Sequence, residues 1–221
     1  MKYYPIFLRV AGRPCLVIGA GKVAEQRVES LLNAGARVTV ISPESTPALA
    51  ALAAAGTIVL QPRPYAGGDL CGFFLAYAAT DDGPLHAQIA REAEAAGVLL
   101  NVVDDPQRCD FIMPSVLERG DVVIATSTSG TSPALARRIR RQLEGVVGPE
   151  YELAARVLGR LRERLTAQLY PSAERRRIFA ALVDSPLLDY LRARQTSDVD
   201  RLLASTAGDG VSLASLGVQL T

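Results

Sequence analysis

The stretch Cys15-Leu16-Val17-Ile18-Gly19-Ala20-Gly21-Lys22-Val23-Ala24 decides the fold of this chain. An apolar run leads directly into the pattern Gly-x-Gly-x-x-Ala, and an amphipathic run over Val23–Ala34 follows it. A strand, a glycine turn and a helix in this order are typical of dinucleotide-binding domains. Gly19 would permit the tight turn, Gly21 would let a pyrophosphate approach the backbone, and Ala24 would let helix and strand pack closely. The phosphates would then lie at the helix N-terminus.

Short apolar runs alternate with alanine-rich helical runs as far as Val103. This alternation predicts an α/β domain with a Rossmann-type, doubly wound parallel sheet. The predicted strands are Cys15–Gly19, Arg37–Ile41, Ile58–Gln61, Phe73–Ala78 and Val98–Val103. The predicted helices are Val23–Ala34, Pro47–Ala55 and His86–Ala96.

The remainder of the chain has a different pattern. Two strand-like runs, Phe111–Leu117 and Asp121–Thr126, predict a hairpin, and Ser132-Pro133 opens a helix that ends at Glu144. Farther on, an apolar residue recurs at every fourth position: Leu153, Val157, Leu161, Leu165 and Leu169. This stripe would pack inside a small helical domain or pair across a dimer, and periodicity alone does not choose. Glycine, serine and threonine predominate from Thr206 onward, which predicts a frayed tail.

The composition limits the class of protein. A net charge of +1 and a hydrophobic share of 49% fit a folded globular chain. No apolar run approaches the ~20 residues of a membrane span, and no secretory signal opens the chain. We therefore expect a cytoplasmic protein whose partners are neither a membrane nor a nucleic acid. Three cysteines and one histidine favour neither a disulfide framework nor a metal site, and we expect His86 at the surface or on a helix face.

The end of the second predicted strand bears on the choice of dinucleotide. The run Ile41-Ser42-Pro43-Glu44 lacks an acidic residue at the strand tip, where one usually binds the ribose, and Glu44 is the candidate replacement. No arginine follows closely that would receive a 2′-phosphate, so the sequence favours NAD over NADP. An NAD-binding sensor domain without catalysis is the alternative, and Ser42 at the strand tip argues against it.

A carboxylate lies where the fifth predicted strand ends, in Asn101-Val102-Val103-Asp104-Asp105-Pro106. Ligands of open α/β sheets bind at this end of the strands. Asp104 could therefore take a proton while hydride leaves for NAD, or stabilise positive charge that develops on the substrate. The alternative is that Asp104 or Asp105 only caps a turn before Pro106.

Several motifs together resemble one known family. They are Tyr4-Pro5-Ile6-Phe7, the glycine motif, Ala34-Gly35-Ala36, Ala79-Thr80-Asp81-Asp82, Asn101-Val102-Val103-Asp104, Phe111-Ile112-Met113-Pro114-Ser115, Gly130-Thr131-Ser132-Pro133-Ala134-Leu135-Ala136-Arg137 and Glu174-Arg175-Arg176-Arg177. Over about residues 4–180 the chain resembles the dehydrogenase/ferrochelatase module of siroheme synthase. This module also occurs alone as precorrin-2 dehydrogenase.

The resemblance implies an organisation and an activity. The chain would have an NAD-binding Rossmann domain over residues 1–110, a hairpin and helix forming a dimerisation region over 111–148, and a small helical domain over 149–221. It would form a homodimer that binds NAD and a tetrapyrrole. It would oxidise precorrin-2 to sirohydrochlorin in siroheme biosynthesis. Insertion of iron or cobalt, as a substrate ion, stays open because related proteins differ in it.

The resemblance also assigns site residues. Asp104 corresponds to the catalytic aspartate of the family. The resemblance places Lys22, Val23, Pro43, Glu44, Thr80 and Asp81 at the cofactor, in addition to Gly19, Gly21 and Ala24, which the glycine motif itself indicates. It places Gly130, Thr131 and Ser132 near the substrate. We also expect Arg137 and Arg140 to bind the substrate, because guanidinium matches carboxylate geometry. The two arginines belong to residues 132–180, a segment that contains eleven arginines and five glutamates. This surplus suits a substrate with eight carboxylates, or merely solvates helix faces.

Overall fold

A computed structural model of the chain describes residues 2–220. The chain divides into two compact units, one ending at Met113 and one beginning at Pro114. The first contains a parallel sheet covered by helices, and the second contains a hairpin followed by helices. Within residues 2–220, no helix is long and apolar enough to cross a membrane.

A parallel sheet with the strand order β3-β2-β1-β4-β5 forms the centre of the first unit. Its strands are β1 Pro14–Ile18, β2 Arg37–Ile41, β3 Val59–Gln61, β4 Leu75–Ala78 and β5 Leu99–Val102. The strand order changes direction between β1 and β4, which is the point where Rossmann folds form a ligand-binding crevice. The prediction of a doubly wound parallel sheet is confirmed.

Helices cover both faces of this sheet: α1 Lys22–Asn33, α2 Pro47–Ala54 and α3 Gly83–Ala96. The helices α1 and α2 pack with Val17 of β1 on one face. The helix α3 packs with Leu16 and Ile18 of the same strand on the other. Successive residues of a strand point to opposite faces, and here both faces are buried. This burial explains the uninterrupted apolar run that precedes the glycine motif.

The predicted elements of the first unit differ from the observed ones mainly at their ends. The helix α3 begins at Gly83, earlier than the predicted His86. Asp82 Oδ1 accepts a hydrogen bond from Leu85 N at 2.9 Å and caps the helix, and Pro84 lies in its first turn. The cap and the proline were both visible in the sequence.

The second unit begins with an antiparallel hairpin, β6 Ser115–Arg119 and β7 Val122–Thr126. The helices that follow are α4 Pro133–Glu144, α5 Glu150–Ala167, α6 Ser172–Val183, α7 Leu187–Arg192 and α8 Thr196–Ala207. The helix α4 has the predicted bounds, because the Ser132 hydroxyl accepts a hydrogen bond from Leu135 N at 3.2 Å. The strand β6 starts later than predicted. Phe111 does not join the hairpin. It belongs to the first unit, where it packs on Tyr77.

The apolar stripe of α5 packs inside the helical part of the second unit. Leu153, Val157, Leu161 and Leu165 belong to its buried core. Leu169 does not, because α5 ends at Ala167, and Leu169 is 88% exposed with a φ of +57°. Its assignment to the stripe was wrong. Helical spacing cannot show where a helix stops, and the nearest stop signal, Pro171, comes three residues after the C-cap Gln168.

The C-terminal segment packs against the same core. The helix α8 continues through Ala207, and the segment after it is held by Leu213 N, which donates to Asp200 Oδ1 at 2.7 Å. Its buried side chains are Val211, Leu213, Leu216 and Val218. The prediction of a frayed tail is therefore wrong for residues 206–220, and Thr221 lies outside the described residues. Small polar residues separate these apolar ones and concealed their pattern.

Candidate active site

The carboxyl ends of the strands bring most of the predicted residues of the first unit to one edge of the sheet. Gly19 N donates to Ile41 O at 2.8 Å, and Val103 N donates to Ala78 O at 2.9 Å. These bonds align the chain segments that follow β1, β2, β4 and β5. The predicted cofactor residues after β1, β2 and β4 therefore share an edge with Asp104 after β5.

The two glycines of the motif have different physical roles. Gly19 has a φ of +99°, and a Cβ added to it would lie 2.2 Å from Ala79 O, so only glycine fits there. Gly21 has a φ of −83°, and an added Cβ would meet no atom within 4 Å. Gly19 thus serves the fold, whereas Gly21 keeps the space above the backbone open. Ala24 is fully buried against the sheet, as close packing requires.

The N-terminus of α1 fits the pyrophosphate of a dinucleotide. Its cap residue Gly21 supplies no side-chain hydrogen bond to the first turn. The first backbone N–H groups of a helix have no partner within the helix and favour an anion. Lys22 and Val23 are exposed at this end, and Lys22 Nζ pairs with Glu25 Oε2 at 2.9 Å. An open glycine surface above unpaired N–H groups is the arrangement that phosphate oxygens require.

The loop after β2 lies beside this turn. Thr46 N donates to Ala20 O at 3.2 Å, and the Thr46 hydroxyl accepts a hydrogen bond from Leu49 N and caps α2. Pro43 and Glu44 are exposed on this loop. The loop is therefore fixed against the glycine turn, and these two residues are accessible to a ligand bound there.

The segment after β4 is connected to α3 through a buried histidine. His86 is 7% exposed, and its Nε2 lies 3.1 Å from Thr80 Oγ1. The expectation that His86 lies on a helix face holds, but the surface position was wrong, because α3 packs this face against the sheet. Asp81 is exposed. The histidine thus positions the hydroxyl of Thr80 at the edge where the cofactor residues gather.

Asp104 has an unusual backbone conformation. Its φ is +60°, a left-handed conformation that residues other than glycine seldom adopt, with aspartate and asparagine the commonest exceptions. Cys109 anchors the loop after it: Val102 N donates to Cys109 Sγ at 3.2 Å, and this thiol contacts Asp105 O at the same distance. Asp105 pairs with Arg108. The Asp104 side chain is exposed and pairs with no described residue. Non-glycine residues in such conformations concentrate at functional sites.

Asp104 lines a shallow cleft of about 170 Å³. Two polar side chains that the sequence analysis did not select line it as well, Arg27 from α1 and Asn101 from β5. Asn101 Nδ2 donates to Phe111 O at 2.9 Å and holds the returning chain against the sheet. Asn101 opens the motif that ends at Asp104, although no role was predicted for it, and Arg27 belongs to none of the recognised motifs. Helical spacing could show only that Arg27 lies one turn after Val23.

Tyr77 supports this cleft from inside the sheet. Its hydroxyl donates to Met113 Sδ at 2.9 Å, and its ring packs edge-to-face on Phe111 with centroids 5.6 Å apart. Burial raises the pKa of Tyr77 to about 12, although the positive charge of Arg27 acts in the opposite direction. The phenol is thus held in its neutral form.

We expect Tyr77 to make the fold sensitive to alkali. Its pKa in the native state lies above the ordinary value, so its contribution is intact below about pH 10 and is lost as the pH rises through about 12. Two pKa units correspond to about 3 kcal/mol. Tyr77→Phe should flatten the fall in unfolding free energy over this range, measured by urea denaturation. Tyr4→Phe, at a residue that is 81% exposed, is the control. An unchanged slope in Tyr77→Phe would contradict the assignment.

The predicted substrate-binding residues all belong to the second unit. Gly130 and Thr131 lie in the loop between β7 and α4, and Gly130 has a φ of +83°. This loop is closed by Ser132 N, which donates to the Thr128 hydroxyl at 2.9 Å. The guanidinium of Arg137 is exposed, whereas Arg140 pairs with Glu144. Of the two arginines, Arg137 has its charge available to a ligand.

Three family models match successive parts of the chain. An NAD(P)-binding family matches residues 6–115, the family described as sirohaem biosynthesis protein central matches 119–145, and the sirohaem synthase dimerisation region matches 151–206. The chain belongs to the sirohaem synthase family. The family model with dimerisation in its description covers α5–α8, helices that the sequence analysis assigned to a helical domain.

Relatives within the sirohaem synthase family are similar over most of the chain. Siroheme synthase 1 of Aeromonas salmonicida (strain A449) is 40% identical over 93% of this chain and 44% of its own length. Siroheme synthase of Ectopseudomonas mendocina (strain ymp) is 43% identical over 81% of this chain and 38% of its own. The chain thus spans less than half the length of these curated relatives.

A solved structure has the same fold. The protein named SirC, precorrin-2 dehydrogenase, aligns with a TM-score of 0.75 over 93% of this chain and 99% of its own. The two sequences are 22% identical, so this likeness concerns the fold alone. Among residues 2–220 of the present chain, no group of three or more histidine, cysteine, aspartate or glutamate side chains is placed so that it could hold a metal ion.

Proposed function

We propose that this chain oxidises precorrin-2 to sirohydrochlorin with NAD as the hydride acceptor. The observation that carries the proposal is that an open glycine turn and an unpaired Asp104 in a left-handed conformation share one edge of a Rossmann sheet. Membership of the sirohaem synthase family and the shared fold with SirC, precorrin-2 dehydrogenase, support the choice of substrate.

The chain's own residues have distinct tasks in this proposal. Bound NAD would supply the site that takes up the hydride. The N-terminus of α1 and Gly21 hold the phosphates, while Thr80, positioned by His86, contributes a hydroxyl nearby. The oxidation removes one hydride and one proton from the substrate, and the Asp104 carboxylate accepts that proton. Its exposed position leaves the carboxylate free to do so.

The substrate carboxylates and a second copy of the chain complete the proposal. Thr131 and Ser132 at the N-terminus of α4 would receive a carboxylate, and Arg137 would pair with another.

The second unit exposes the apolar side chains of Val116, Val123 and Val146. A homodimer would cover such side chains, over the proposed dimerisation region 111–148, over the family-matched 151–206, or over both. Analytical ultracentrifugation should give twice the chain mass of 23.5 kDa, and a monomer would contradict this part.

The decisive experiment supplies precorrin-2 and NAD to the purified chain and follows the absorbance of NADH. We expect NADH and sirohydrochlorin to form in equal amounts. A parallel reaction with NADP tests the preference for NAD, which was inferred because no arginine follows the second strand closely. A chain that binds NAD but never reduces it would favour the sensor alternative. Addition of Co²⁺ or Fe²⁺ after the oxidation then shows whether metal insertion follows.

A further inference from the structure

Arg27 is a half-buried cation in the cleft that Asp104 lines, and its shielded Nε has no partner among the described residues. Its Nε is shielded from solvent and makes no hydrogen bond with any described residue. Its guanidinium carbon lies 5.7 Å from the centre of the Tyr77 ring, and no described carboxylate pairs with it. Asp105, the other acid of the cleft, pairs with Arg108 instead.

An arrangement of this kind costs folding free energy unless a ligand completes it. A buried polar group without a partner is penalised, and a charged one more so. The flat guanidinium donates pairs of parallel N–H groups, which match the two oxygens of a carboxylate. The Tyr77 ring lies within the distance of a cation–π interaction with this guanidinium. The cleft thus offers an incoming anion a preformed donor beside Asp104.

The position of Arg27 indicates which anion it receives. It lies six residues after Gly21, or about 9 Å farther along the helix axis. A pyrophosphate bound at the N-terminus of α1 is therefore well separated from it along the helix. Asp104, by contrast, lines the same cleft as Arg27. This placement favours a group on the substrate over a phosphate of the cofactor.

We propose that Arg27 binds a carboxylate of the tetrapyrrole in the Asp104 cleft and so orients the ring edge that reacts. The proposal rests on the proposed function for the identity of this ligand. Arg27 would act as a positioning residue from the NAD-binding unit, in addition to the arginines predicted in the second unit. It takes no part in proton transfer.

The test is a fluorescence titration with sirohydrochlorin, which measures binding without turnover. Arg27→Met removes the charge and retains the aliphatic part, and we expect a Kd roughly 10- to 100-fold higher. Arg27→Lys should recover part of the affinity, because it restores the charge without the paired donors. Arg91→Met, at an exposed residue of α3 outside the cleft, should bind as the wild type does. NADH affinity should not change in any of them, and the urea midpoint should not fall, because Arg27→Met removes a charge that has no partner among the described residues.

Each other outcome overturns the assignment. An unchanged Kd in Arg27→Met would show that Arg27 does not contact the tetrapyrrole. A loss of NADH affinity with normal sirohydrochlorin binding would assign the arginine to the cofactor. If the wild type does not bind sirohydrochlorin, the tetrapyrrole is not the ligand of Arg27. These results are separate from the NADH assay, in which a wild type that binds both ligands without turnover would overturn only the proposed function.

Discussion

Asp104→Asn should lower the rate of NADH formation from precorrin-2 by about 10²- to 10⁴-fold, the range attributed to a general base. Asparagine also tolerates the left-handed conformation at this position, so the backbone should not change. The exposed carboxylate pairs with no described residue, so its loss should barely affect the unfolding free energy. Steady-state kinetics should show the loss in kcat, with the affinity for NADH retained.

The adjacent aspartate provides the matched control. Asp105→Asn changes the same functional group in the same loop, but Asp105 pairs with Arg108 and is the less exposed of the two. We expect turnover close to that of the wild type, since an ion pair of this kind contributes only about 0–1 kcal/mol. Equal losses in the two variants would show that loop geometry, not the Asp104 carboxylate, limits the rate. An active Asp104→Asn would remove Asp104 from the mechanism.

Gly19→Ala should destabilise the chain by roughly 3–5 kcal/mol, combining backbone strain with overpacking. The added Cβ would lie 2.2 Å from Ala79 O, and the φ of +99° would itself be strained. Because whole domains are stable by only about 5–15 kcal/mol, much of the protein should be unfolded or insoluble. Urea denaturation followed by circular dichroism measures the effect. A variant as stable as the wild type would contradict the described geometry.

Gly21→Ala is the companion variant, and its effect should fall on the ligand instead. The new Cβ would meet no protein atom within 4 Å, so the unfolding free energy should stay the same or rise slightly. It would occupy the space over the N-terminus of α1, and the Kd for NADH should increase roughly tenfold, or about 1.4 kcal/mol. Unchanged NADH binding in this variant would place the pyrophosphate elsewhere.

The Rossmann part of the fold was predictable because local chemistry and tertiary packing agree there. The run of β1 is apolar at successive positions, and both of its faces are covered by helices. The cap at Ser132 similarly fixed the start of α4. Leu169 was assigned wrongly because its spacing continues the stripe after the helix has ended. The C-terminal segment was predicted wrongly because burial there depends on contacts with distant helices.

The candidate site was predictable only as far as its motifs extend. Asp104 and the glycines occupy positions where the order of strands determines what lies at the sheet edge. Arg27 reaches the cleft through a side chain whose direction depends on the packing of α1. Asn101 belongs to the same motif as Asp104, but its contact with Phe111 O depends on the return of the chain to the sheet. His86 is a similar case, because its burial follows from the face that α3 presents to the sheet. Such contacts are tertiary and leave no trace in local spacing.

The packed C-terminal segment has a practical consequence for anyone who shortens this polypeptide. The family match ends at residue 206, which makes that position an inviting place to cut. A cut there would remove Val211, Leu213, Leu216 and Val218 and leave an apolar cavity in the core of the helical part. Shortened versions should therefore keep the residues through at least 218, and aggregation of a version ending at 206 would say nothing about the first unit.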